Sequence, residues 1–186
     1  MSLLFDEVDG RAYRVGGALP RAYVVTACER AANASAALGP FVDPAFDATR
    51  AVLVETGDNG EAGCSEPGES SSGRLVGQAR IVTRSLNSLS IQGDTPEAGW
   101  LVIAESWDPG WQAPLDGTPT GLVPGDYAFR ALRVPVGAHT VELHYLPRSF
   151  VIGAAISALS VAALVTLNGG WWWRNRQRER SSGTPG

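Results

Sequence analysis

The sequence predicts a mainly β fold, an antiparallel β-sandwich of jelly-roll type with one short helix, followed by a single C-terminal transmembrane helix. Three observations predict it. Short runs with strand character recur through the first 148 residues, separated by Gly, Pro and Asp turn residues. Phe150 to Leu167, FVIGAAISALSVAALVTL, is eighteen residues without a charge. Trp171, Trp172 and Trp173 and then Arg174, Arg176, Arg178 and Arg180 follow that run.

The strand-like runs, in order, are Ala12–Val15, Ala22–Cys28, Ala51–Glu55, Gly77–Arg84, Ser88–Gln92, Leu101–Trp107, Gln112–Leu115, Tyr127–Val134 and Thr140–Leu146. Alternation is clearest in the last. There Thr140, Glu142 and His144 share one face and Val141, Leu143 and Tyr145 the other. Asp116-Gly117 between two runs is a hairpin signal, and Pro135–Ala138 supplies the turn before the final strand. One helix is expected over Glu29–Leu38, stopped by Gly39-Pro40, with a short turn at Pro44–Arg50. Residues 57–73, GDNGEAGCSEPGESSSG, are polar, acidic and rich in Gly and Ser, and read as a flexible loop. Many short strands at close spacing favour a sandwich.

Eighteen residues of helix span about 27 Å, close to the ~30 Å hydrocarbon layer. The tryptophans form an interfacial belt, and the arginines behind them mark the cytoplasmic side. The expected division is therefore 1–148 as an extracytoplasmic domain, 149–173 as the membrane helix and 174–186 as a basic cytoplasmic tail. Gly153 and Ser157, with Ala154, Ala158 and Ala162, place small residues one turn apart on the helix, a face that admits another helix closely. MSLLFDEVDG lacks a basic n-region and a long apolar run, so it does not read as a signal peptide. The charge rule then calls for upstream membrane helices, and the chain reads as the C-terminal part of a polytopic protein or the product of a split gene.

Charge excludes one class of partner. Residues 1–148 hold 11 Arg and 18 acids, a net of −7, while 174–186 hold four Arg and one acid, a net of +3. An acidic domain lacks the basic face that nucleic acid requires. The expected partners from the membrane segment are a lipid bilayer and other transmembrane helices. Cys28 ends an apolar run and reads as a buried thiol, Cys64 lies in the polar loop, and a bridge between them is open outside the cytoplasm.

No catalytic or cofactor motif emerges: P-loop, nucleophile elbow, Cys-x-x-Cys and His-Glu-x-x-His are all missing from the sequence. His139 and His144, five apart on a strand, point to opposite faces and do not share a metal. Asp108 and Asp116 are formally a carboxylate pair for glycoside chemistry, but Asp108 precedes Pro109-Gly110 and Asp116 opens Asp-Gly, so turn chemistry accounts for both. Trp107, Trp111, Tyr127 and Phe129 are the candidate carbohydrate contacts, set against a role in the core. Arg130 is expected to pair an acid such as Glu105 at the surface, or to meet lipid phosphate.

The stretch Leu101–Phe150 carries a resemblance. Trp107, Pro109, Gly110 and Trp111, then Asp116-Gly117, then Tyr127, Ala128, Phe129 and Arg130, then Pro135, Gly137 and His139 fall in an order similar to the C-terminal region of bacterial YfhO-type membrane proteins. Ala12–Val25 resembles that family's lead-in to the same region. Asp126 stands where the family usually has Asn, and Gly17 where Asn is commoner. The resemblance implies a polytopic, GT-C-like glycosyltransferase of a bacterial cell membrane that moves a sugar from a polyprenyl-phosphate-linked donor to a cell-envelope polymer, which makes an envelope glycan an expected partner. Its catalytic carboxylates lie in early loops that this chain lacks. The chain would then be the non-catalytic accessory domain plus the last membrane helix. The alternative is a free-standing, membrane-anchored carbohydrate-binding module.

Overall fold

The computed structural model describes residues 2–7, 10–14, 16–56, 64 and 73–181. The chain divides into two compact units, Met1–Tyr145 and Leu146–Gly186. The first is β-rich, and the second is one long helix.

Among the described residues the first unit has twelve strands and one helix. β1 (Ser2–Glu7) and β2 (Gly10–Arg14) form their own antiparallel pair. The other ten strands are β3 (Ala22–Val25), β4 (Ala27–Ala31), β5 (Ala51–Glu55), β6 (Leu75–Arg84), β7 (Ser88–Thr95), β8 (Gly99–Ile103), β9 (Trp111–Gln112), β10 (Leu122–Gly125), β11 (Phe129–Val134) and β12 (Gly137–Tyr145). They hydrogen-bond in the order β4-β5-β10-β11-β8-β3-β6-β7-β12-β9. Every pairing is antiparallel except β4 with β5.

The apolar pattern explains how this ladder packs. β3 is buried along its whole length because β6 and β8 flank it and apolar side chains cover both its faces. One buried cluster takes Val24 of β3, Leu101 and Ile103 of β8 and Leu132 of β11 together with Ile91 of β7 and Leu143 of β12. Strands from distant places in the ladder therefore close on one core. β6 links these parts of the ladder by pairing with β3 through Leu75–Gln78 and with β7 through Ala79–Arg84, where the register shifts between Ile81 and Thr83. A second cluster, on the other face of β3, β8 and β11, holds Tyr23, Val25, Trp100, Val102 and Ala131 with Val52 and Val54 of β5. β12 shows the expected alternation, with Val141 and Leu143 buried and Glu142 and His144 exposed.

The helix expected over Glu29–Leu38 sits later. Residues Ala27–Ala31 form β4, in parallel register with Ala51–Glu55, and α1 covers Ala34–Val42. Pairing with β5 overrides the helix-forming character of Glu29-Arg30-Ala31. The helix begins where Asn33 accepts the Ala36 amide at 3.0 Å through Oδ1, an N-cap. Pro40 lies inside the last turn rather than beyond it. Ala37 docks the helix on Ala31 and Leu53, with Phe41 and Phe46 alongside. Turns occupy part of the stretch expected at Pro44–Arg50.

Four strand expectations also change. The run Ala22–Cys28 divides at Thr26 into β3 and β4, which pair with different partners. The run from Leu101 stops at Ile103, because Glu105 N–H turns back to the Ile103 carbonyl. The run ending at Leu115 is a two-residue strand at Trp111–Gln112, and Tyr127 precedes β11 in a turn. Cys28 is buried, as read, but it is not a free thiol: it is bonded to Cys64 across 36 residues. The flexible-loop reading of 57–73 falls mostly outside the described residues.

In the second unit α2 spans Arg148–Ser181, and its segment Arg148–Trp171 is long and apolar enough to cross a membrane. Three of its polar side chains turn back on their own helix: Ser160 donates to the Ile156 carbonyl, Thr166 to Ala163 and Asn168 to Leu164. Gly153, Ala154, Ser157, Ala158 and Ala162 lie exposed along it, as do Trp171 and Trp173. Arg174, Arg176, Arg178 and Arg180 fall within the same helix.

Candidate functional site

Four segments distant in sequence bring three guanidinium groups around one carboxylate. β8 pairs with both β3 and β11, so the residues at this end of the three strands become neighbours. Arg21 immediately precedes β3, and its carbonyl accepts the Ala104 amide at 2.8 Å. Arg84 ends β6, and Ser85 and Ser88 close the turn into β7 through a 2.7 Å hydroxyl contact. Glu105 follows β8. Its Oε1 lies 3.1 Å from Arg84 Nη2 and 3.7 Å from Arg21 Nη1, and its Oε2 lies 4.0 Å from Arg130 Nη1.

Arg130 is the centre of the arrangement and is only 4% exposed, so the surface pair expected from sequence is a buried one. On β11 it shares a face with Leu132 and Val134, which enter the core, and it occupies the outer end of that face. Its Nε donates to the Ser106 carbonyl at 2.9 Å, and its guanidinium carbon lies 3.9 Å from the Trp111 ring centroid. Trp111 in turn contacts the Tyr145 ring, with centroids 5.1 Å apart. Burial lowers the Arg130 pKa, while Glu105 and Asp108 act to raise it. A guanidinium keeps its charge under such a pull. Arg130 Nη1 and Glu105 Oε1 are both buried without a hydrogen-bond partner. The 3.1 Å approach of Arg84 to that oxygen is therefore an ion pair without hydrogen-bond alignment.

These residues line a cleft of about 710 Å³. That is the size of a small-molecule site. The lining carries three arginines and Glu105, a local charge of about +2, in a domain whose sequence is strongly acidic. Asp108 stands close enough to influence Arg130, which brings the neighbourhood to about +1. Its Oδ1 is committed to the Gly110 amide at 2.7 Å.

The candidate aromatic residues do not gather on one platform. Trp111 packs beside the first core cluster, whereas Phe129 packs beside the second. Tyr127 is exposed in a turn, with φ of 68°. Trp107 is half-buried, its backbone amide bound to the Ala128 carbonyl at 2.8 Å. Trp111 and Arg130 do come together. Arg21, Arg84 and Glu105 complete the cleft and were not candidates from sequence. Glu105 alone was anticipated as a partner of Arg130.

Asp116 and His139 meet elsewhere. Asp116 and Gly117 have φ of 49° and 79°, the left-handed pair of a tight hairpin turn, closed by the Leu115–Thr118 bridge. Asp116 Oδ1 accepts the Thr140 amide at 2.8 Å, and Oδ2 lies 2.6 Å from His139 Nδ1. The Thr140 amide and His139 hold the Asp116 pKa below the ordinary carboxylate value, and Asp116 raises that of His139. His144 is exposed on the other side of β12. Among the described residues no group of three or more His, Cys, Asp or Glu is placed to share a metal ion.

Asp126 is a buried acid that the sequence did not announce. It is 1% exposed with φ of 47°. Its Oδ1 accepts the Leu53 amide at 2.9 Å, its Oδ2 faces the Tyr23 hydroxyl at 3.4 Å, and its own amide donates to the Leu53 carbonyl at 2.7 Å. Burial raises its pKa to about 6, against the pull of those two donors. Burial, with Asp126 opposite, also raises the Tyr23 pKa.

Comparison of the chain with protein-family models, with curated proteins and with solved structures returned no match.

Proposed function

We propose that this chain is a membrane-anchored accessory domain that works outside the cytoplasm. In this reading Arg148–Trp171 crosses the bilayer, the basic end lies in the cytoplasm and the β-rich unit is a binding, non-catalytic module of sandwich type. The observation that carries it is α2: the 24-residue apolar segment, about 36 Å of helix, presents its apolar side chains uncovered and returns Ser160, Thr166 and Asn168 to its own carbonyls. Support for the orientation comes from the arginines after Trp173 and from the Cys28–Cys64 disulfide, which suits an oxidising compartment.

The YfhO-type reading belongs to the same proposal. It is supported by the order of the motifs from Trp107 to His139 followed by the membrane helix. Under it, a membrane part supplied by an upstream sequence or a separate subunit transfers the sugar, and this domain positions lipid-linked donor or envelope acceptor. Membrane fractionation tests the anchor. The full chain should resist extraction at high pH and high salt, and deletion of residues 149–173 should release the β-rich unit. Release of the intact chain by salt alone would overturn the reading.

A further inference from the structure

We propose that the cleft around Arg21, Arg84 and Arg130 is a binding site for a phosphate-class oxyanion. The inference stands on the first unit alone, whichever side of a membrane it occupies.

The charge arrangement is unfinished as it stands. Three guanidinium groups face one carboxylate, and that carboxylate satisfies none of them well. The buried Nη1 of Arg130 has no acceptor, although its Nε and its ring-stacked face are fixed by Ser106 and Trp111. A buried donor left unpaired is costly, and a charged donor more so. Arg130 lines the open cleft, so a ligand oxygen that displaces the Glu105 carboxylate meets a guanidinium already positioned by Ser106 and Trp111. Arg21 and Arg84 are more than half exposed, so their guanidinium groups are free to swing from Glu105 to a ligand. The Ser85 and Ser88 hydroxyls line the same wall.

The ligand class follows from charge and geometry. Planar guanidinium forks match tetrahedral oxyanions through paired N–H···O bonds. Three guanidinium groups around one cleft offer more N–H donors than the two oxygens of a single carboxylate can take, whereas the oxygens of a phosphomonoester or diphosphate can serve all three. Asp108 is engaged with Gly110 and with the Tyr145 hydroxyl, so it is not the acceptor Arg130 lacks. Glu105 acts as a place-holder that keeps three cations together when the site is empty. Leu86, 95% exposed at the rim, is an apolar contact available to a lipid chain attached to the phosphate.

Isothermal titration of the full chain in phosphatidylcholine nanodiscs tests this with inorganic pyrophosphate as the probe. Saturable one-to-one binding is expected. Arg21→Gln with Arg84→Gln, both exposed and harmless to folding, should weaken it by about tenfold or more. Glu105→Gln should tighten it severalfold, because a competing carboxylate is removed while the side-chain volume is kept. A purely structural ion network gives neither effect. Dihexanoyl phosphatidic acid and glucose 1-phosphate assign the source. Tighter binding of the first, lost in Leu86→Ser, points to a lipid phosphate, and tighter binding of the second to a soluble sugar phosphate. No saturable binding of pyrophosphate, or binding unchanged in the double arginine variant, overturns the proposal.

Discussion

Replacing Asp126 with Asn should stabilise the protein at neutral pH and leave it nearly unchanged in acid. Asp126 is buried with a folded-state pKa of about 6, against 3.8 for the free side chain. This folded pKa is raised, so the native state holds a proton that the unfolded state releases between those values. Stability therefore falls as pH rises through this window, and the loss is complete above about pH 6. A shift of about two units corresponds to about 3 kcal/mol. Asn keeps an oxygen for the Leu53 amide, offers its N–H group to the Tyr23 hydroxyl and tolerates the positive φ. The assay is urea unfolding of wild type and Asp126→Asn between pH 4 and pH 8, in the same detergent. The variant's advantage should grow from near zero at pH 4 to about 3 kcal/mol at pH 8. An advantage that does not change with pH, or a loss of stability at pH 8, would refute the reasoning.

Other consequences are equally concrete. Cys28→Ser opens a loop of 36 residues, and loop entropy puts the cost at about 4 kcal/mol, read as a lower urea midpoint that reductant reproduces in wild type. Gly99→Ala places a Cβ 2.5 Å from the Val25 carbonyl oxygen. That backbone cannot move without disturbing β3, so a loss of about 1–3 kcal/mol is expected in thermal or urea unfolding. His139 should titrate above its ordinary value by NMR, and Asp116→Asn should bring its midpoint back down. The pair's contribution should fade as pH rises through the His139 pKa, and again in acid as Asp116 protonates.

Local pattern was a good guide where strands follow the period of two and a poor one where distant partners decide. Ala51–Glu55 is a strand as read, because the apolar run Val52-Leu53-Val54 sits between polar neighbours. The alternation in β12 separates Val141 and Leu143 from Glu142 and His144 as its sequence implies. Glu29-Arg30-Ala31 failed because its fate depends on a parallel partner twenty-odd residues later. β10 was missed because Pro124 argues against a strand, and its pairing with β5 begins only at Gly125. Cys64 sits in a polar stretch with nothing local to mark its partner.

The candidate site was the least legible part. Arg130 follows Phe129 in an ordinary strand, and nothing nearby says that a guanidinium will be buried. Its surroundings come from Arg21, Arg84 and Glu105, which only the strand order brings together. Asp126 carried a hint in its Pro-Gly-Asp context, a turn signal, but its burial depends on Tyr23 and Leu53.

The proposed membrane orientation is tested most directly by protease protection in sealed bacterial spheroplasts, with an epitope tag after Gly186. Added protease should digest the β-rich unit and leave the tagged C-terminal fragment intact until the membrane is lysed. A tag removed from sealed spheroplasts while the β-rich unit survives would contradict the account.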